Sequence, residues 1–324
     1  MEVLRSIEEA RAAGLLRGGA VAIGNFDGVH LGHRRLVAEA EACARARGAR
    51  AGVLTFEPHP VRVLKPALSP PLLTSLPRKL ELLAGLGLDA AVVHPFDRGY
   101  AGTSAAEFVA RDLTGGLGVA DVVVGYDFTA GRERARVDAL RPLLAAHGIA
   151  LHVVEPVTSD GLVVSSTKIR EFLLEGNVAA AAALLTRPYD VDGVVAHGAG
   201  RGRGFGFATA NVATEALLPA NGVYAVRVAL GVRPGPGGAG VAATAWRPGV
   251  CNVGVKPTVE ANGAVAAEVH LLDFDGRDLY GERIRVAFVE RLRPERRFPS
   301  IDALRAQISA DAARAREVLR EAPM

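Results

Sequence analysis

Residues 20–33 read AVAIGNFDGVHLGH, and the first half of the chain is organised around them. The apolar run Ala20–Ile23, closing at Gly24, predicts a short buried strand. Asn25, Phe26, Asp27, Gly28 and Val29 predict a loop. His30, Leu31, Gly32 and His33 then open a helix whose one face carries Leu36, Val37, Ala40 and Ala44. A strand that enters a helix through a glycine-containing loop gathers free backbone N–H groups and the positive helix end at one point, a ready site for phosphate. His30 and His33 add side-chain donors there. Two histidines at a helix start can also be a plain surface feature, but H-x-G-H in a strand–loop–helix setting favours a nucleotide-phosphate site.

Working outward, apolar strands are expected at Ala51–Phe56, Ala90–Pro95, Asp121–Gly125 and Ala150–Glu155. Helices are expected at His33–Arg47, Pro77–Leu86, Ser104–Leu113 and Val137–His147. Gly48 just past the first helix, Pro77 in a first turn, and Ser104 with Glu107 as a capping box support these bounds. Apolar strands alternating with helices predict a parallel sheet covered on both faces, with ligands beyond the carboxyl ends of the strands. The loops at Asn25–His33, Glu57–Pro60 and Tyr126–Phe128 should therefore line one crevice.

Two further helices, Ser166–Glu175 and Val178–Leu185, precede a change of character near residue 187. Strand-like runs then follow at Val191–Ala196, Val223–Leu230, Val241–Ala245, Ala266–Leu272 and Ile284–Arg291. Turn signals at Asn221-Gly222, Asn262-Gly263 and Asp275-Gly276 separate them, as in an antiparallel sheet or barrel. The stretch GVRPGPGGAG (231–240) reads as a flexible hairpin tip. A last helix spans Ser300–Leu319 with Ser300 as its cap. Two domains are expected, 1–186 and 187–324.

The 324 residues suffice for two ordinary cores, and 49% hydrophobic with 23% charged residues is a globular composition. The apolar runs are short and interrupted, which argues against a membrane span, and MEVLRSIEEARAAG is an amphipathic segment with no signal-peptide core. A cytoplasmic protein is expected. Cys43 and Cys251 lack metal-ligand or CxxC spacing and read as small buried hydrophobes. The net charge of +3 rests on arginine, since Lys65, Lys79, Lys168 and Lys256 are the only lysines. That balance suits phosphate ligands and is too weak for nucleic acid.

Other stretches bear on chemistry. In VSSTKIR (164–170), Ser165, Ser166 and Thr167 can cap a helix with Arg170 on its first turn; alone this fits phosphate binding and a plain cap equally, and paired with the histidine motif in one crevice it favours phosphate. Phe56–Pro60 and Phe128 could form a slot for a flat ring or pack as ordinary loops. In HGAGRGRGFGFATAN (197–211), glycines with Arg201 and Arg203 permit close backbone approach to phosphates, and Thr209 and Asn211 are oxygen donors suited to Mg²⁺. The stretch matches neither G-x-G-x-x-G nor a Walker A sequence. Glu268, between apolar residues on an expected strand, could take a proton from a hydroxyl, although a solvated strand glutamate is the simpler reading.

Together the motifs GNFDGVHLGH (24–33), TFEPHP (55–60), VGYDF (124–128), SSTKIR (165–170), GRGRGFGFATAN (200–211), GVYAV (222–226), NVGVKPT (252–258), EVHLLDFDGRDLYG (268–281) and RLRPERRF (291–298) span nearly the whole chain in order. They resemble the bacterial bifunctional riboflavin kinase/FMN adenylyltransferase family, the FAD synthetases. The resemblance implies an N-terminal Rossmann-like α/β nucleotidyltransferase domain of H-x-G-H type, which joins FMN to the adenylyl group of ATP. It implies a C-terminal six-stranded β-barrel riboflavin kinase with a C-terminal helix. Gly24, Asn25, Phe26, Asp27, His30 and His33, with Ser165, Thr167 and Arg170, would hold ATP in the first reaction, and Pro58, His59 and Phe128 would contact FMN. Gly200, Arg201, Thr209 and Asn211 would hold the second ATP, Thr209 and Asn211 would ligate Mg²⁺, and Glu268 would be the base on the ribityl 5′-hydroxyl. Riboflavin, FMN, FAD and ATP would be the small-molecule partners of a monomer or weak oligomer.

Two departures matter. Ala208 stands where the family has proline, which frees φ in the loop before Thr209 and is expected to weaken nucleotide binding without abolishing kinase activity. Thr129-Ala130 replaces a pair ending in phenylalanine, removing an aromatic worth on the order of 1 kcal/mol near the flavin slot. Loss of one activity, or a non-catalytic flavin-binding regulator, are the alternatives.

Overall fold

The computed structural model describes residues 1–196, 209–232, 246–255, 265–274 and 277–322. These form two compact units: one of residues 1–70 with 76–164, the other of 71–75 with the described residues from Ser165 onward.

The first unit begins with β1 (Glu2–Leu4), α1 (Ile7–Ala13), β2 (Ala20–Ile23), α2 (Leu31–Ala46), β3 (Ala51–Glu57) and α3 (Pro60–Leu64). It continues with α4 (Leu76–Ala84), β4 (Ala90–Pro95), α5 (Ala105–Glu107), β5 (Asp121–Gly125), the hairpin β6 (Thr129–Ala130) and β7 (Ala135–Arg136), α6 (Val137–Ala146) and β8 (Ala150–Val154). A second small hairpin, β9 (Thr158–Ser159) with β10 (Leu162–Val163), follows. The six-stranded sheet has the order β1-β4-β3-β2-β5-β8, and every pairing in it is parallel. Alternation in β2 explains its uniform apolarity: Val21 and Ile23 enter one core cluster with Leu54, Val92, Phe108 and Leu144, while Ala20 and Ala22 enter another with Val37, Ala40 and Leu83.

Two features were not expected. The start of the chain is an edge strand, β1, followed by α1, whose cap Ser6 accepts from the Glu9 N–H. The helix opened by Ser104 and Glu107, whose reciprocal capping bonds are both present, winds on as a π-helix over Phe108–Leu117 and ends at left-handed Gly118. It runs past Leu113 through Gly115 and Gly116 because packing, not propensity, holds it. A Cβ at Gly116 would lie 2.3 Å from the Ile7 side chain, so glycine is what lets α1 approach.

The second unit starts with α7 (Ser166–Glu175) and α8 (Val178–Leu185) at the expected bounds. Then come β11 (Tyr189–Ala196), β12 (Thr209–Ala213), β13 (Gly222–Leu230), β14 (Arg247–Val255), β15 (Val265–Leu271), β16 (Arg283–Arg293) and α9 (Ile301–Glu321). The strands close an antiparallel barrel of order β11-β12-β15-β14-β13-β16. Tyr189, Tyr224 and Phe288 pack within it, with Tyr224 and Phe288 edge to face at 5.4 Å. Helix α9, capped by Ser300, lays Ala312, Ala315, Val318 and Leu319 against Ala225, Val250 and Leu272. Arg285 forms a bidentate pair with Asp192, at 2.6 and 3.0 Å. The expected strand Val241–Ala245, the hairpin tip from residue 233, and the turns Asn262-Gly263 and Asp275-Gly276 lie outside the described residues.

Candidate functional site

In the first unit β3, β2 and β5 are adjacent and parallel, so the loops after Ile23, Glu57 and Gly125 leave the same edge of the sheet. This is the edge where open α/β sheets bind ligands. The β2–α2 loop holds Phe26 at φ 50° and Val29 at φ 45°, with Gly28 at φ 86°. A left-handed β-branched valine is a strained backbone, of the kind that collects at ligand-binding turns. The loop is pinned on both sides: the Gly24 N–H donates to Leu54 carbonyl oxygen and the Thr55 hydroxyl donates to the Asn25 carbonyl.

His30 is the cap of α2, its Nδ1 accepting from the His33 N–H at 3.4 Å. The two imidazoles stack at 3.7 Å, and Phe26 tilts against His33 at 5.2 Å. Gly32 is glycine for a local reason, since a Cβ there would crowd the His30 ring at 3.2 Å. Burial, then the charges of His30 and Lys79, push the His33 pKa well below its ordinary 6.5. His33 is thus neutral at pH 7, and its buried Nδ1 meets no hydrogen-bond partner among the described residues.

Asp27, 1% exposed, and Lys79, 4% exposed, bring opposite charges to this end of the sheet. Burial pushes the Lys79 ammonium down against the pull of Asp27 and Glu57. Sequence reasoning did not single out Lys79. Its signal was faint: one of four lysines in a chain whose positive charge is mostly arginine.

His59 follows a cis Glu57–Pro58 bond and caps α3, its Nδ1 accepting from the Val61 N–H at 3.3 Å. Pro58 is exposed and His59 buried. Phe128 packs on the core cluster and lines a small apolar cavity with Ile23, Phe108, Val124 and Leu144. Phe56 joins Phe96 and Tyr100 in an aromatic cluster, with centroids 5.7 and 5.8 Å away.

The VSSTKIR residues belong to the second unit from Ser165 onward. Ser165 caps α7 by accepting from the Lys168 N–H at 3.1 Å, Thr167 is exposed, and the Arg170 guanidinium donates to the Pro71 carbonyl at 2.8 Å.

In the barrel, register brings three polar residues into one row. Asn211 on β12 and Asn252 on β14 each stand directly opposite Glu268 on the intervening β15. Directly opposed residues share a face. Val250, two residues before Asn252, packs against α9, so this face is the outer one. Neighbouring Cys251, Val253, Ala267 and Val269 are buried on the opposite face. Thr209 lies two residues before Asn211 and opposite His270. Asn211 is 8% exposed, and its side-chain oxygen is buried without a hydrogen-bond partner among the described residues. A buried carbonyl oxygen costs free energy unless a donor or a cation engages it, and a hard cation fits that oxygen together with the Thr209 hydroxyl. Asn252, which donates to Glu295 at 3.1 Å, was not singled out in the sequence. Gly200, Arg201, Arg203 and Ala208 lie outside the described residues.

Comparison with known proteins agrees with both halves. A family described as FAD synthetase matches residues 14–168, and one described as riboflavin kinase matches residues 185–319. A bifunctional riboflavin kinase/FMN adenylyltransferase of Pseudomonas fluorescens is 39% identical, covering 98% of this chain and 97% of its own. Its counterpart in Escherichia coli (strain K12) is 38% identical with the same coverage, and that of Bacillus subtilis (strain 168) is 35% identical over 90% of this chain and 89% of its own. A crystal structure described as a macrolide-efflux protein from Streptococcus pneumoniae superposes with a TM-score of 0.80, at 29% identity and 95% coverage of both chains. Among the described residues no helix is long and apolar enough to cross a membrane. With both halves matched in order and full-length relatives above 35% identity, the chain belongs to the bifunctional riboflavin kinase/FMN adenylyltransferase family.

Proposed function

We propose that the protein phosphorylates riboflavin to FMN with ATP, and then transfers the adenylyl group of a second ATP to FMN, releasing pyrophosphate and FAD. What carries this reading is that one chain holds both arrangements: a stacked histidine pair at the start of α2, and an Asn211–Glu268 row on the barrel.

In adenylyl transfer an FMN phosphate oxygen attacks the α-phosphorus of ATP and the bond to pyrophosphate breaks. The required help is fixed donors for charge on the phosphoryl oxygens. The N–H groups around Gly24–Asp27 and the His30 and His33 rings supply them. Neutral His33 donates one N–H to the phosphoryl oxygens. Ser165, Thr167 and Arg170 are assigned to ATP on the family motif, and Pro58, His59 and Phe128 to FMN.

In the kinase reaction the ribityl 5′-oxygen attacks the γ-phosphorus of ATP, ADP leaves, and Glu268 takes the hydroxyl proton. Thr209 and Asn211 would hold Mg²⁺, which when bound neutralises phosphate charge. Gly200 and Arg201 are assigned to the nucleotide from the same motif. A cytoplasmic monomer or weak oligomer, with residues 1–186 serving FAD formation and 187–324 serving FMN formation, completes the proposal.

The test incubates the purified protein with riboflavin, ATP and Mg²⁺ and separates flavins by chromatography. FMN followed by FAD is expected. FMN without FAD would remove the adenylyltransferase, FAD made only from supplied FMN would remove the kinase, and flavin bound but unchanged would leave a regulator.

A further inference from the structure

We infer that Glu39, Cys43 and His152 form a binding site for one borderline-soft divalent metal ion, of which Zn²⁺ is the type. Glu39 and Cys43 are four residues apart on α2 and so share a helix face. His152 stands on edge strand β8, and α2 packs against that strand. The carboxylate oxygen, thiol sulfur and imidazole nitrogen these residues offer lie within 4.8 Å of one another. Bonds of about 2.0–2.3 Å to a tetrahedral ion put ligand atoms roughly 3.3–3.8 Å apart, so small side-chain rotations close the site.

The donor set chooses the ion. A thiolate and an imidazole prefer zinc and its transition-metal neighbours to Mg²⁺ or Ca²⁺, which take oxygen. One thiolate and one carboxylate balance a 2+ charge. Three protein ligands leave the fourth position to water.

A second observation points the same way. Asp121, whose side chain is 4% exposed, lies 2.8 Å from His152 Nε2 and is held from its other side by Arg47. A carboxylate on the far nitrogen of an imidazole is the usual outer support of a metal-binding histidine, fixing its tautomer and orientation. With Nε2 held by Asp121, Nδ1 is the nitrogen assigned to the ion. Arg35 reaches one Glu39 oxygen at 3.4 Å from an exposed position, a contact that yields readily.

The site also accounts for Cys43. Read from sequence as a small buried hydrophobe, it is only half-buried at the margin of its apolar cluster. A free thiol is mostly protonated at neutral pH. Binding releases that proton to solvent as the metal–sulfur bond forms, without oxidation or reduction. A bound ion would tie α2 to β8.

The experiment strips the full-length protein with chelator and titrates it with Co²⁺. One equivalent should give a thiolate-to-cobalt charge-transfer band in the near ultraviolet, and Zn²⁺ should displace it. Cys43→Ser should abolish the band. Glu39→Gln and His152→Ala should each weaken Zn²⁺ binding at least tenfold. Zn²⁺ should raise the melting temperature of the wild type and leave that of Cys43→Ser unchanged. No band at one equivalent, or a band that persists in Cys43→Ser and so arises from Cys251, overturns the inference. If His152→Ala fails to fold, Glu39→Gln decides the matter, and undiminished Zn²⁺ affinity there also overturns it.

Discussion

The rings of His30 and His33 lie face to face, their centroids 3.7 Å apart and their planes 18° from parallel. Burial first, and then the charges of His30 and Lys79, keep His33 neutral. On the proposed mechanism His33→Ala removes a donor to the developing phosphoryl charge, worth about 10²–10³ in rate when lost. FAD formation from FMN should fall by about that factor, while FMN formation from riboflavin is unchanged. Chromatography of the two half-reactions measures both, and equal loss in the two would refute separate sites.

The same residue sets a pH dependence. His33 and His94 have folded pKa values below the ordinary 6.5, in each case chiefly through burial. The unfolded chain therefore binds protons at each group that the folded protein refuses. Their contribution to stability is fully present above pH 6.5 and is lost as pH falls from there through the folded values, by about 1.4 kcal/mol per pH unit for each proton. Urea unfolding at a series of pH values should show this decline. His33→Gln should flatten it by roughly one proton, and an unchanged slope would count against the assignment.

Glu268→Gln keeps the shape of the row and removes the proposed proton acceptor. FMN formation should drop by about 10²-fold or more, with FAD formation from supplied FMN intact. Asn211→Ala should raise the Mg²⁺ concentration needed for half-maximal FMN formation. If neither change touches the kinase reaction, the barrel row is not its site.

Arg285 is buried, and it donates two hydrogen bonds to Asp192 across the β11–β16 ladder. Arg285→Ala leaves that carboxylate without its counter-ion and should destabilise the protein by about 3–5 kcal/mol. Denaturant unfolding reads the loss. The double change Arg285→Met with Asp192→Leu should recover much of it.

The parallel sheet was legible because β2, β4 and β5 are buried on both faces and so read as unbroken apolar runs. The barrel was legible less sharply. β12 and β14 went unread: β12 carries the polar Thr209 and Asn211, and β14 is interrupted by Pro248, Gly249 and Gly254. β1 is three residues long and is ordered by pairing with β4, which no local pattern announces. At the site, His30 and His33 could be named from spacing, and Asp27 from the family resemblance. Lys79 could not, because its importance comes from the acidic neighbours Asp27 and Glu57 that folding brings to it. Asn252 likewise acquires meaning only from the register that sets it opposite Glu268.

The row across β12, β15 and β14 also makes the barrel sensitive to parity. Deleting one residue from β15 ahead of Ala267 would exchange the two sides of the strand, turning Glu268 inward among Cys251 and Val253 and presenting an apolar residue beside Asn211. Deleting two would restore the side while moving the carboxylate one step along the ladder. Length changes in this strand are therefore read modulo two, a constraint that the helices of the other half, which repeat every 3.6 residues, do not share.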